Sequence, residues 1–178
     1  MKNIILILTI IVSFFVLTNS SNAQVQCNVC ADPPITPICS LQVSVPQCPN
    51  CVIWVWFWAY PTCNEYVISH INYSNNDCLN CNEIDIFRAA RDKMLTDGPL
   101  APTQNGFQKI QRITSPACYK LQNATTNGYS WQACIPVNAC CRSVYTVTYN
   151  NGIVTYQQDS NEIIGELCDG ECRIICPE

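Results

Sequence analysis

Histidine occurs once in this chain, at position 70, and glycine only six times in 178 residues. A lone histidine has no second imidazole with which to share a metal, and no serine sits in a Gly-x-Ser-x-Gly elbow. Six scattered glycines build no phosphate-cradling loop. Charge is scarce too: Lys, Arg, Asp and Glu make up 12% of the residues, and the net charge is −4. An acidic chain without a basic cluster repels phosphate backbones, so no nucleic acid partner is expected. Glu65, Asp77, Glu83, Asp85 and Asp159 form no pair that spacing alone sets across a scissile bond, and no calcium loop is present. No cofactor and no metal are expected, and the chain reads as a non-enzyme.

Long apolar runs are also missing, except at the start. Ile4 to Leu17 is broken only by Thr9 and Ser13, follows Lys2, and ends near Ser21-Asn22-Ala23, which offers small residues for cleavage. Residues 1–23 therefore read as a secretory signal peptide. The run is short for a spanning helix, which needs about 20 residues, though a retained anchor is the alternative reading. The expected mature chain begins at Gln24, has no membrane span, and is secreted or held at the cell surface, with the periplasm as a further option. Without Lys2 it carries eight cations against thirteen anions.

What the chain has in excess is cysteine: Cys27, Cys30, Cys39, Cys48, Cys51, Cys63, Cys78, Cys81, Cys118, Cys134, Cys140, Cys141, Cys168, Cys172 and Cys176. This density is that of a disulfide scaffold, and an oxidising compartment lets such bonds persist. Fifteen is odd, so one thiol stays free or joins two chains. Cys27-x2-Cys30, Cys48-x2-Cys51 and Cys78-x2-Cys81 also match zinc-ribbon spacing, but an exported chain favours bridges. Haem attachment fails because Ala31, Val52 and Asn82 follow these pairs where histidine is needed. A redox reading of Cys48-Pro49-Asn50-Cys51 wants a helix behind it to depress the thiol pKa, whereas Val52 to Trp58 is strand material.

Val52 to Tyr60 is β-branched and aromatic throughout. Alternation predicts Trp54, Trp56 and Trp58 on one face of a strand and Ile53, Val55 and Phe57 on the other. Pro61 to Asn64 supplies a turn, and Tyr66 to Tyr73 a returning strand, with His70 expected on the face of Ile68 and opposite Val55. Leu41–Val45 is a further short strand. Ile84 to Leu95 has helical period through Ile84, Phe87, Ala90 and Met94, with Asn82 as N-cap and Gly98-Pro99 as stop. Asp85–Arg88 and Arg88–Asp92 have ion-pair spacing. Residues 97–106 read as a linker or long loop, Phe107 to Ile113 as a short strand, and 118–134 as a polar region with a turn at Asn127-Gly128. Around Asn151-Gly152 the β-rich run from Arg142 to Gln158 folds as a type I′ hairpin that pairs Tyr149 with Val154 and Val147 with Tyr156.

Cys51 to Cys78 and Cys141 to Cys168 span equal intervals, each around a predicted hairpin, which hints at an internal duplication. Cys140 and Cys141 should point to opposite faces and bridge different partners. Cys168, Cys172 and Cys176 could fasten the acidic tail to the second hairpin.

The expected fold is β-dominated with a minor α+β character: a disulfide-rich chain with two hairpin-centred lobes, 24–95 and 106–178, joined by 96–105 and one central helix. The expected role is an exported, non-enzymatic structural or binding protein that meets a protein partner or a second copy of itself. Trp54, Trp56 and Trp58 are the candidate binding residues. Two alternatives stand beside it: a carbohydrate-binding module using the tryptophan ladder, and a metal or redox protein using the cysteine pairs.

Overall fold

The β-branched and aromatic runs become strands, and the one long stretch with helical period becomes a helix. The computed structural model describes residues 27, 30–124, 128–135, 139–166, 168 and 170–176. The expected signal segment, 1–23, lies outside them. Among the described residues there are nine strands and one α-helix: β1 (Cys39–Ser44), β2 (Val52–Tyr60), β3 (Glu65–Tyr73), α1 (Glu83–Asp97), β4 (Phe107–Pro116), β5 (Cys118–Ala124), β6 (Gly128–Ala133), β7 (Ala139–Asn150), β8 (Ile153–Gly165) and β9 (Arg173–Ile174). No helix among them is long and apolar enough to cross a membrane.

All nine strands join one sheet, and β3 is its branch point. One side of β3 pairs antiparallel with β2, which in turn pairs with β1. The other side is shared. Glu65, Tyr66 and Val67 pair parallel with Arg112, Ile113 and Thr114 of β4, and His70, Ile71 and Asn72 pair antiparallel with β6. From β4 the sheet runs on to β7 and β8, and from β6 to β5 and β9. Strands from either side of 96–105 thus share one sheet.

Helix α1 packs on β1 and β2 and also on β8, which lie at opposite ends of that run, so the sheet curls around it. Asn82 caps the helix as the sequence predicts, its Oδ1 accepting from Ile84 N at 2.9 Å. Of the expected stripe, Phe87, Ala90 and Met94 are buried, joined by Ile86 and Leu95, while Ile84, in the first turn, is 42% exposed. Phe87 meets Tyr119 and Trp131 edge-on, and Trp131 Nε1 donates to the Tyr73 hydroxyl at 2.7 Å. Such edge contacts add about 0.5–1.5 kcal/mol each beyond the area they bury. Asp85 pairs with Arg88, but Asp92 pairs with Arg91, which is drawn inward over the Tyr145 ring.

The type I′ hairpin forms in the predicted register, Tyr149 opposite Val154 and Val147 opposite Tyr156, with Asn151 and Gly152 both at positive φ. The region 118–134, read as polar turn, holds β5 and β6. Its polar residues occupy one face, while Tyr119, Leu121 and Trp131 alternate into the core. Residues 98–106 contain no regular element, yet Leu100 within them is buried: its N–H donates to the Tyr66 hydroxyl at 2.8 Å, and its carbonyl accepts from Lys109 and Gln111.

Seven disulfides staple this body: Cys27–Cys140, Cys30–Cys63, Cys48–Cys81, Cys51–Cys78, Cys118–Cys168, Cys134–Cys172 and Cys141–Cys176. The adjacent Cys140 and Cys141 do diverge, one to the N-terminal segment and one to the tail. The duplication does not hold in the bridges. Cys51 pairs with Cys78, but Cys141 and Cys168 pair elsewhere.

Candidate functional site

Strand alternation sorts β2 as its sequence predicts. Ile53, Val55, Phe57 and Ala59 are buried beneath α1, and the three tryptophans stand on the outer side. Trp54 is 39% exposed; Trp56 and Trp58 are half-buried. Alternate residues lie about 7 Å apart, so the indoles form a ladder along one strand.

The strands on either side complete the face. Gln42 of β1 and Asn72 of β3 flank Trp54 in register; Ser40 and His70 flank Trp56. Gln132 of β6 lies beyond His70. Trp54 and Trp56 are therefore bordered by neutral hydroxyl, amide and imidazole groups, whereas Trp58 is paired with the apolar Val67.

His70 is not where simple alternation placed it. The register shifts between Trp56 and Phe57: Phe57 pairs with Ile68 and Trp56 with His70, leaving Ser69 as an extra residue in β3. This bulge inverts parity, so Ile68 is buried while His70 joins the tryptophans on the opposite face. The imidazole lies against Trp56 with ring centroids 5.6 Å apart and planes at 11°. Its Nδ1 is hydrogen bonded to Ser69 Oγ at 3.1 Å. Burial holds the His70 pKa below its ordinary value of 6.5, so the ring is uncharged at neutral pH. The serine–histidine contact fixes the ring. Among the described residues no carboxylate hydrogen bonds to the imidazole, so the orienting member of a nucleophilic triad is not supplied.

Trp56 Nε1 is shielded from solvent and has no hydrogen-bond partner among the described residues. A buried donor left unmatched costs about 1–3 kcal/mol.

The far end of the face is closed by the chain that precedes β1. Cys30 N donates to Glu65 Oε2 at 3.0 Å, and Thr114 Oγ1 donates to Glu65 Oε1 at 2.6 Å. Ile35 N donates to the Ala59 carbonyl at 2.7 Å, and the Cys27–Cys140 and Cys30–Cys63 bridges pin the same segment. Glu65 is fully buried beneath it. The face is therefore open at Trp54 and sealed toward Tyr60.

The cysteines occupy different ground. The Cys48-x2-Cys51 and Cys78-x2-Cys81 pairs cross-link to each other, and Cys30 is bridged to Cys63. These sulfurs dominate the two clusters with ligand spacing, Cys48–Cys51–Cys81 and Cys30–Asp32–Cys63. A bridged sulfur is not the thiolate that zinc requires. Cys39 is the cysteine left over. It sits opposite Phe57 on the core side of edge strand β1, packed against the main core, and burial pushes its pKa up. A thiol in that setting is a poor nucleophile.

A cleft of about 360 Å³ lies at the other side of the molecule, between Tyr73, Trp131 and Leu121. Two ion pairs rim it, Lys120–Glu171 at 2.7 Å and Arg173–Glu83 at 3.2 Å, so its charges are matched within the chain.

Comparison with protein-family models, curated proteins and solved structures finds no match to this chain.

The sequence picks out the tryptophans but not their neighbours. Gln42, Asn72 and Gln132 carry no pattern of their own, and they become relevant only once strand order is known. His70 is misplaced because one inserted residue in a strand leaves no mark in composition.

Proposed function

We propose that this chain is an exported, non-enzymatic binding protein whose recognition surface is the outer face of β2. One observation carries the reading: Trp54, Trp56 and Trp58 stand on the outer side of the sheet, and Trp54 and Trp56 are bordered in register by neutral polar side chains. Tryptophan is a costly residue to leave facing water, and it is enriched where proteins bind. Seven disulfides support service in an oxidising compartment, where the cross-links hold a sheet rigid enough to present such a face. The partly buried Cys39 thiol weighs against assembly through an interchain bridge, so the tryptophan face rather than the surplus cysteine is the contact surface.

The test uses the oxidised full chain and its Trp54→Ala variant, each incubated with the cell-envelope and extracellular-matrix fraction of a producing culture. The expected result is retention of the parent chain and at least tenfold weaker retention of the variant. Equal retention of both, or a parent chain that stays in solution as a monomer with tryptophans open to iodide quenching, contradicts it.

A further inference from the structure

We infer that the ligand of this face is a neutral polysaccharide chain lying along the tryptophan ladder. The inference rests on the binding role proposed above and names the chemical class of what is bound.

A sugar ring offers two kinds of surface: apolar C–H groups on its faces and hydroxyls around its edge. The outer face of β2 is built in the same two parts. The indoles supply flat apolar surface every second residue, about 7 Å apart along the strand. Gln42 and Asn72 stand on either side of Trp54, and Ser40 and His70 on either side of Trp56. Neighbouring strands are about 4.8 Å apart, so Trp54 and Trp56 each have hydrogen-bonding groups within reach of the edge of a ring stacked on them. A purely apolar partner surface would leave these amides and hydroxyls unmatched where they are covered, at about 1–3 kcal/mol each.

Charge narrows the class further. From β1 through β3 to Gln132 of β6, these two rows carry no acidic or basic side chain. The next residue in the His70–Gln132 row is Lys120, and it is neutralised by Glu171 at 2.7 Å. The chain as a whole is at −4. A polyanionic glycan would find no counter-charge here and would be repelled by the rest of the molecule. A neutral one meets no such barrier, and His70 is held uncharged beside it by burial.

The face also sets the geometry of the bound chain. It is closed at the Tyr60 end by the segment around Cys30 and open at Trp54. The polymer therefore runs out past Trp54, and loss of that outermost platform weakens binding without disturbing the core.

The experiment is affinity electrophoresis and pull-down of the oxidised full chain on cellulose, chitin, xylan and mannan, with alginate and pectate as polyanionic controls. Trp54→Ala, Asn72→Ala and the core-facing control Cys39→Ser are run alongside. The expected result is retention on at least one neutral polymer, little on the polyanions, and a tenfold or larger loss in Trp54→Ala with a smaller loss in Asn72→Ala. Cys39→Ser should bind as the parent does. Retention on none of the neutral polymers overturns the inference, as does retention that Trp54→Ala leaves unchanged. If the neutral polymers fail while the envelope fraction still holds the parent chain and releases Trp54→Ala, the binding role stands and the polysaccharide class falls. If both fail, the binding role falls with it.

Discussion

Trp56 stacks on His70, with ring centroids 5.6 Å apart and the two planes only 11° from parallel. The contact depends on the bulge at Ser69, which brings His70 to the tryptophan face. It also makes the lone histidine a reporter of that face. Burial keeps the His70 pKa below 6.5. The unfolded chain, with an ordinary imidazole, takes up the proton first as pH falls. Stability is therefore flat with respect to this group above pH 6.5, declines between 6.5 and the folded pKa, and loses no more below it. A pH titration of tryptophan emission should show quenching of Trp56 with a midpoint below 6.5, absent in His70→Asn. A midpoint above 6.5, or the same transition in the variant, would mean that His70 is not desolvated against Trp56.

Glu65 should be a determinant of stability rather than of binding. Its carboxylate is fully buried and receives the Cys30 N–H and the Thr114 hydroxyl. Glu65→Ala strips the acceptor from both donors and should cost roughly 2–4 kcal/mol in urea denaturation. Glu65→Gln keeps one acceptor oxygen and should cost less. Equal and negligible losses would show that the segment around Cys30 is held by its disulfides alone.

The cysteine inventory gives a direct chemical check. Mass spectrometry of the oxidised chain should find seven bridges and one thiol, at Cys39. Because that thiol is partly buried with a raised pKa, maleimide should label it roughly tenfold more slowly in the folded chain than after denaturation. Fast labelling of the folded protein, or a covalent dimer through Cys39, would reverse the account of this residue. Removal of Cys51–Cys78, both ends of which are buried, should cost about 3–4 kcal/mol by the loop-entropy estimate.

Gly98 limits what the loop after α1 can accept. A Cβ there would lie 2.3 Å from the Met94 carbonyl oxygen and 2.5 Å from the Tyr66 hydroxyl. Gly98→Ala must push Tyr66 away and release Leu100 from its hydrogen bond, with an expected loss of about 1–3 kcal/mol in thermal or urea unfolding. An unchanged midpoint would show that residues 98–106 are not docked as described.

Local patterns proved readable where a single element decides its own geometry. The Asn151-Gly152 turn fixes a register through two residues at positive φ, and alternation alone sorts β2 into core and outer faces. Asn82 announces the helix start because a cap is a contact within three residues. Features that depend on distant strands were not readable. The fork of β3 between β4 and β6 brings together residues 47 to 62 positions apart. Ile84 falls on the apolar stripe by period, but it lies in the first turn of α1, and how far the sheet covers that turn depends on distant strands. Bridge partners were equally hidden: Cys27 and Cys140 are 113 residues apart. On the outer face of β2, the tryptophans were legible, whereas the polar residues beside Trp54 and Trp56 came from strand order.

The most direct measurement is a tryptophan-emission titration of the oxidised chain with soluble oligosaccharides of each neutral polymer, repeated on Trp54→Phe. Trp131 is buried under α1, only 4% exposed, and serves as an internal background that ligand should not move. A saturable blue shift with loss of iodide quenching, weakened in Trp54→Phe, is the predicted result. Emission and quenching that stay constant through every titration, while the chain remains folded and monomeric, would contradict the claim that a neutral glycan binds on the outer face of β2.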